Sequence, residues 1–101
     1  MTNRITDSML EARIRRLNEL TGSPFTPWSQ IDGKNVANVG NFHLSCAYGG
    51  VCLHRMSNKS GGVSTPLVSY HTTKRDLYDR INSFMDGIYF AQDNMKEGAM
   101  T

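Results

Sequence analysis

The sequence predicts a single α+β domain of order α-β-β-β(-β)-α, an antiparallel meander with two helices packed on one face. Three observations carry this. Leu77, Ile81, Phe84 and Ile88 step at i, i+4, i+7 and i+11, with Tyr78 and Met85 beside them, which is the period of an amphipathic helix. Asp32-Gly33 and Gly49-Gly50 are two-residue hairpin signals bounded by strand-like runs. Apolar residues alternate through Phe42, Leu44, Cys46 and Tyr48 and resume at Val51 and Leu53, so one face of a hairpin is greasy and the other is not.

Residues 1–7 are polar and are expected to form a flexible N-terminus. The first helix is expected from Ser8, with Ser8 and Glu11 as a capping box and Gly22 as the C-terminal stop. Its apolar stripe is Leu10, Ile14, Leu17 and Thr21, widened by Met9 and Leu20. Glu11 and Arg15 stand at i,i+4 in the favourable order. Arg13 falls on the edge of the stripe, where its stem is buried and its head reaches water.

Pro24 and Pro27 hold the following segment extended, and Phe25 and Trp28 pin it to the core. A strand then begins at Trp28 and turns at Asp32-Gly33. Residues 35–47 read as the returning strand, with a bulge at Gly40 where the alternation changes phase. With Gly49-Gly50 as the turn, Tyr48 faces Val51, Cys46 faces Leu53, Ser45 faces His54 and His43 faces Met56. Phe42, Leu44, Cys46, Tyr48, Val51 and Leu53 then meet the helices. His43, Ser45, Ala47, Cys52, His54 and Met56 lie on the opposite face, expected to be open to water. Pro66 places the next strand at an edge. Thr73, with Asp76 three residues on, caps the second helix. Residues 8–90 form the domain in this reading, and 91–101 a flexible C-terminal tail.

Composition narrows the function. The chain has 101 residues and a net charge of +2, too little for nucleic-acid binding to follow from charge. No apolar run spans a membrane and no signal-like apolar segment follows the first residues, so a cytoplasmic setting with two free thiols is expected. The two cysteines fall on opposite faces of the hairpin, which rules out a Cys2His2 zinc cluster built from it alone. His43 and His54 share a face, and Cys52 or His71 are the only candidates to complete a ligand set. The expected metal is none, and so is the expected cofactor. His43, Ser45 and His54 offer two imidazoles as an acid-base pair and a hydroxyl, but no carboxylate is placed to orient either ring, so no enzyme activity is expected.

Two resemblances bear on function. Leu17-Asn18-Glu19-Leu20, the Pro24 to Trp28 segment and the Lys74-Arg75 pair at the start of the last helix are loosely similar to the double-stranded RNA-binding domain. That resemblance implies phosphate contacts by Lys74 and Arg75, with Arg13 and Arg16 as further nucleic-acid contacts, although Asp76 and Asp79 depart from the family's basic pattern. The strings "RLNELTGSP", "DGK", "NVGNFHL", "AYGGV", "LHRM", "GGV" and "TKRDLY", across roughly residues 10–88, resemble a group of small proteins of tailed phages and prophages. This second resemblance implies an accessory role in the host-cell cytoplasm. The resulting expectation is a non-catalytic interaction module that binds or inhibits a host protein or defence complex. Its partner contacts are His43, Ser45, His54, Met56 and Tyr48, the partner is a host or phage protein, and a homodimer is a further option. A nucleic-acid-binding domain is the alternative.

Overall fold

A computed structural model describes residues 4–100, the side chains of 96–100 aside. Of the two ends expected to be flexible, residues 1–3 and 101 lie outside the described residues. The elements are α1 (Asp7–Thr21), β1 (Trp28–Ile31), β2 (Lys34–Ala37), β3 (Phe42–Ala47), β4 (Gly50–Met56), β5 (Val63–Ser64) and α2 (Lys74–Met100). The fold is α+β, helix–strands–helix, with antiparallel strands in two sheets, β1-β2 and β3-β4-β5. Among the described residues no helix is long and apolar enough to cross a membrane.

α1 begins two residues before the capping box allows. Thr6 is the N-cap, and its Oγ1 accepts from the Met9 N–H at 3.2 Å. The reason is Ile5, buried in the same cluster as Leu10, in the positions of a hydrophobic staple that fix the entry of the chain. Gly22 ends the helix at φ 68°. The Gly22 and Ser23 amides donate to Glu19 and Asn18 carbonyls, which is a Schellman closure. Arg15 does not pair with Glu11. Its guanidinium lies over the Phe25 ring, 4.7 Å from the centroid. α2 is capped by Thr73, whose Oγ1 accepts from the Asp76 N–H. It buries Leu77, Ile81 and Met85, and runs through Gly87 to Met100, so the expected tail continues the helix.

The expected single meander is divided. Residues 38–41 leave the ladder because their polar groups find other partners. The Asn38 amide donates to the Thr26 carbonyl, and the buried Asn41 amide donates to that of Pro24. Gly40 N–H donates to Met56 O while Met56 N–H donates to Asn41 O. Two residues thus oppose one, and the bulge expected at Gly40 becomes the boundary between sheets.

The β3–β4 turn is Tyr48-Gly49, not Gly49-Gly50. Ala47 pairs with Gly50, Cys46 with Val51, Ser45 with Cys52, Leu44 with Leu53 and His43 with His54. Both turn residues have positive φ, 54° and 74°, as a type I′ turn demands. Each expected partner is displaced by two residues, which preserves the alternation, but Cys46 and Tyr48, expected to meet the helices, are exposed, Tyr48 because it belongs to the turn. Phe42, Val51 and Leu53 join Leu10, Ile14, Leu17, Leu77, Ile81 and Met85 in one core, and both helices pack on that face.

The opposite face is not open. On its edge away from β3, β4 carries a two-residue ladder to Val63-Ser64 and a single bridge to Thr72. Beyond Pro66 the chain leaves the edge, crosses the face and returns at Thr72, which exchanges two 2.8 Å hydrogen bonds with Val51. Cys52 and Met56 are buried, and the Cys52 thiol lies against the Val68 carbonyl of this strap. Met56 is therefore not available as a surface contact.

Candidate functional site

All three histidines of the chain, far apart in sequence, come together on the strap-covered face. His43 stands directly across from His54, not diagonal to it, with ring centroids 5.6 Å apart; His54 and His71 follow at 6.2 Å. The buried Asn41 orients the first ring, its Oδ1 lying 3.1 Å from His43 Nδ1. Because the Asn41 amide nitrogen is committed to the Pro24 carbonyl, its oxygen faces the ring, and His43 Nδ1–H is the donor. Burial, and then His54, hold the His43 imidazole below its ordinary value; burial, and then His71, do the same to His54.

Ser45 does not reach His54 as expected. Its partner is His71, with Oγ 3.0 Å from Nε2. The Cys52 thiol donates to the Val68 carbonyl, and burial pushes its pKa up, which disfavours the thiolate. Among the described residues no group of three or more His, Cys, Asp or Glu side chains is arranged to hold a metal ion. These contacts clamp the strap to the sheet.

The surface of this end of the sheet is aromatic. Tyr48 is 98% exposed at the turn, with its ring edge-to-face on His71, and Tyr70 on the strap is 55% exposed. Between them lies a cleft lined by Gly49, Gly50, Thr72 and Thr73. Gly50 is required here by crowding: a Cβ would sit 2.8 Å from the Thr72 carbonyl oxygen. Thr72 is the contributor that sequence reasoning missed. The pairing of Val51 with Thr72 spans 21 residues and leaves no local signal.

The cations proposed to meet phosphate are dispersed and mostly engaged. Arg13 reaches across to α2, its Nε donating to Asn82 Oδ1 at 2.8 Å. Arg16 bonds Glu19 and the Tyr89 hydroxyl. Lys74 pairs with Asp7 at 3.1 Å. Arg75 is exposed beside Lys74. Asp76, whose pKa is lowered by its hydrogen bonds to Arg80 and then Thr72, keeps a negative charge on the same helix turn. Comparison with protein-family models, with curated proteins and with solved structures yields no match.

Proposed function

We propose that this protein is a non-catalytic interaction module that binds a protein partner through the corner formed by Tyr48 and Tyr70. The observation that carries the reading is Tyr48 itself. An L-residue in the left-handed region costs about 1–2 kcal/mol relative to its preferred backbone, and glycine or asparagine occupies a type I′ turn more cheaply. At 98% exposure Tyr48 recovers almost none of that cost by burial. A large aromatic held out at a strained turn is what an interface anchor needs. Tyrosine supplies contact area with few rotatable bonds, and such residues dominate binding energy where they meet a pocket.

The resemblance to small phage proteins supports a host protein or defence complex as the partner, met in the host-cell cytoplasm. The nucleic-acid reading ranks behind it, because Arg13, Arg16 and Lys74 already have partners within the chain. The test is affinity purification from infected host cells with the tagged wild-type chain and with Tyr48→Asn, each with and without nuclease. Tyr48→Asn should keep or gain stability, by roughly 0.5–1 kcal/mol, since asparagine tolerates the turn better. A protein captured by wild type, insensitive to nuclease and lost from the folded variant, supports the reading. Capture that disappears with nuclease, or that Tyr48→Asn leaves unchanged, overturns it.

A further inference from the structure

We propose that the free edge of β3 takes an extended peptide segment of a partner as an added antiparallel strand, in the groove between β3 and α1. The main-chain register shows the vacancy. A two-residue hairpin closes on a hydrogen-bonded pair, here Ala47 and Gly50, so Ala47, Ser45 and His43 spend their N–H and C=O groups on β4. Val51, opposite Cys46, bonds away from β3 to Thr72, as this alternation requires. Phe42, Leu44 and Cys46 therefore direct their main-chain groups outward. Phe42 is satisfied: the Asn18 side chain accepts from its N–H at 2.8 Å and donates to its carbonyl at 2.9 Å. Among the described residues, none bonds the outward groups of Leu44 and Cys46. The strand, Phe-His-Leu-Ser-Cys-Ala, carries no charge and no proline, so this edge lacks the usual devices that discourage pairing.

The groove beside that edge has a polarity. α1 runs antiparallel to β3, with Asn18 at Phe42 and Asp7 sharing a depression with Cys46 and Ala47. Between them Glu11, Arg15, Phe25 and Leu44 line a second depression. Asp7 is neutralised by Lys74, whereas among the described residues neither Glu11 nor Arg15 belongs to an ion pair. Four residues on a helix advance about 6 Å. Two residues on a strand advance about 6.6 Å. An antiparallel segment with a basic residue followed two positions later by an acidic one thus meets Glu11 and then Arg15, and an apolar residue beyond them meets Phe25. A second copy of the chain suits the edge less well. Its own α1 would arrive beside this one, and the two-fold axis near Ser45 would set Glu11 against Glu11.

This surface is independent of the Tyr48 corner, and its test is separate. The probe is the blocked heptapeptide Ac-Val-Thr-Lys-Val-Glu-Thr-Val-NH2, titrated into the full 15N-labelled chain, wild type and Tyr48→Asn. Saturable shifts and exchange protection at the Leu44 and Cys46 amides, equal in both proteins, are expected. N-methylation should weaken binding roughly fivefold per hydrogen bond lost, and only at the alternate peptide amides that face β3. Arg15→Glu with Glu11→Lys should transfer preference to the peptide with Lys and Glu exchanged. The proposal is overturned if millimolar peptide leaves those two amides unmoved, or if every N-methyl position is tolerated alike. It is also overturned if the two amides become protected with rising protein concentration in the absence of peptide, which assigns the edge to a second copy.

Discussion

Asn18 is the residue whose removal the structure prices most directly. It is a polar side chain on the apolar stripe of α1, 1% exposed, and both ends of its amide are used on the main chain of Phe42. Asn18→Ala leaves one buried N–H and one buried C=O without partners, each costing about 1–3 kcal/mol. Phe42 is 2% exposed, so water cannot take the place of the lost amide without opening the strand. Alanine returns about 0.6 kcal/mol in helix propensity. The net expectation is a loss of about 3 kcal/mol, against a total stability of about 5–15 kcal/mol for a domain of this size. In urea, with a slope near 1.5 kcal/mol/M, the midpoint should fall by roughly 2 M. Asn18→Asp sharpens the test. A carboxylate accepts from the Phe42 N–H but repels its carbonyl, so at neutral pH this variant should lose at least as much as alanine. Once protonated, the acid regains a donor, and its deficit relative to wild type should shrink as pH falls. A midpoint change of less than about 0.3 M for Asn18→Ala, or an Asn18→Asp chain as stable as wild type at pH 7, refutes the reasoning.

Three further expectations follow from the same contacts. His43 and His54 have lower pKa values folded than unfolded, so the unfolded chain binds more protons. Their contribution is complete above about pH 6.5 and is lost as pH falls through the depressed folded values, which a urea midpoint series from pH 8 to 5 should show as a decline. A flat or rising series would count against it. Gly50→Ala should destabilise by about 1–3 kcal/mol and loosen the strap, read as faster amide exchange at Thr72, because its Cβ would meet the Thr72 carbonyl oxygen at 2.8 Å. With a thiol reagent at neutral pH, exposed Cys46 should react at once. Buried Cys52 should react only at the rate at which the strap opens, and two equally fast thiols would contradict the cover over β4.

How far the fold was legible depends on how local its causes are. The α2 stripe, its Thr73 cap and the Asp32-Gly33 turn are written within a few neighbouring residues and were readable. The β3–β4 turn was not, because Gly49-Gly50 contains two glycines with different jobs. Gly49 serves the turn, and Gly50 makes room for Thr72, a contact known only once the chain has come back. Placing Tyr48 at positive φ also defies local preference, and a propensity argument moves the turn away from it. The faces of Phe42, Leu44, Val51 and Leu53 survived this error, since shifting every partner by two residues preserves alternation, whereas Tyr48, drawn into the turn, left the helix face. What was lost was the chemistry on the outer face: His43 meets His54 and not Met56, and Ser45 meets His71. The break at 38–41 was hidden for a related reason. Asn38 and Asn41 stop the strand by bonding Thr26 and Pro24, twelve and seventeen residues back.

These corrections change where a partner can bind. The broad face that the sequence offered as open is crossed by its own strap, with Cys52 bonded to it, Met56 buried, and the three imidazoles spent largely on one another, on Asn41 and on Ser45. The other face is occupied by the helices. On the proposed reading, recognition is displaced to the rim of the β3-β4-β5 sheet. There the turn at Tyr48 and the outward groups of Leu44 and Cys46 lie at the same end, separated along the chain only by Ala47. An antiparallel strand added to β3 would begin beside that turn, so the residues preceding it in a partner would pass Tyr48. Two features that each look anomalous alone, a strained exposed tyrosine and an uncharged open edge, are then consistent with one continuous contact. This account requires the corner to tolerate asparagine structurally while the edge still accepts the peptide, and it is the independence of those two responses that separates a binding rim from a merely imperfect fold.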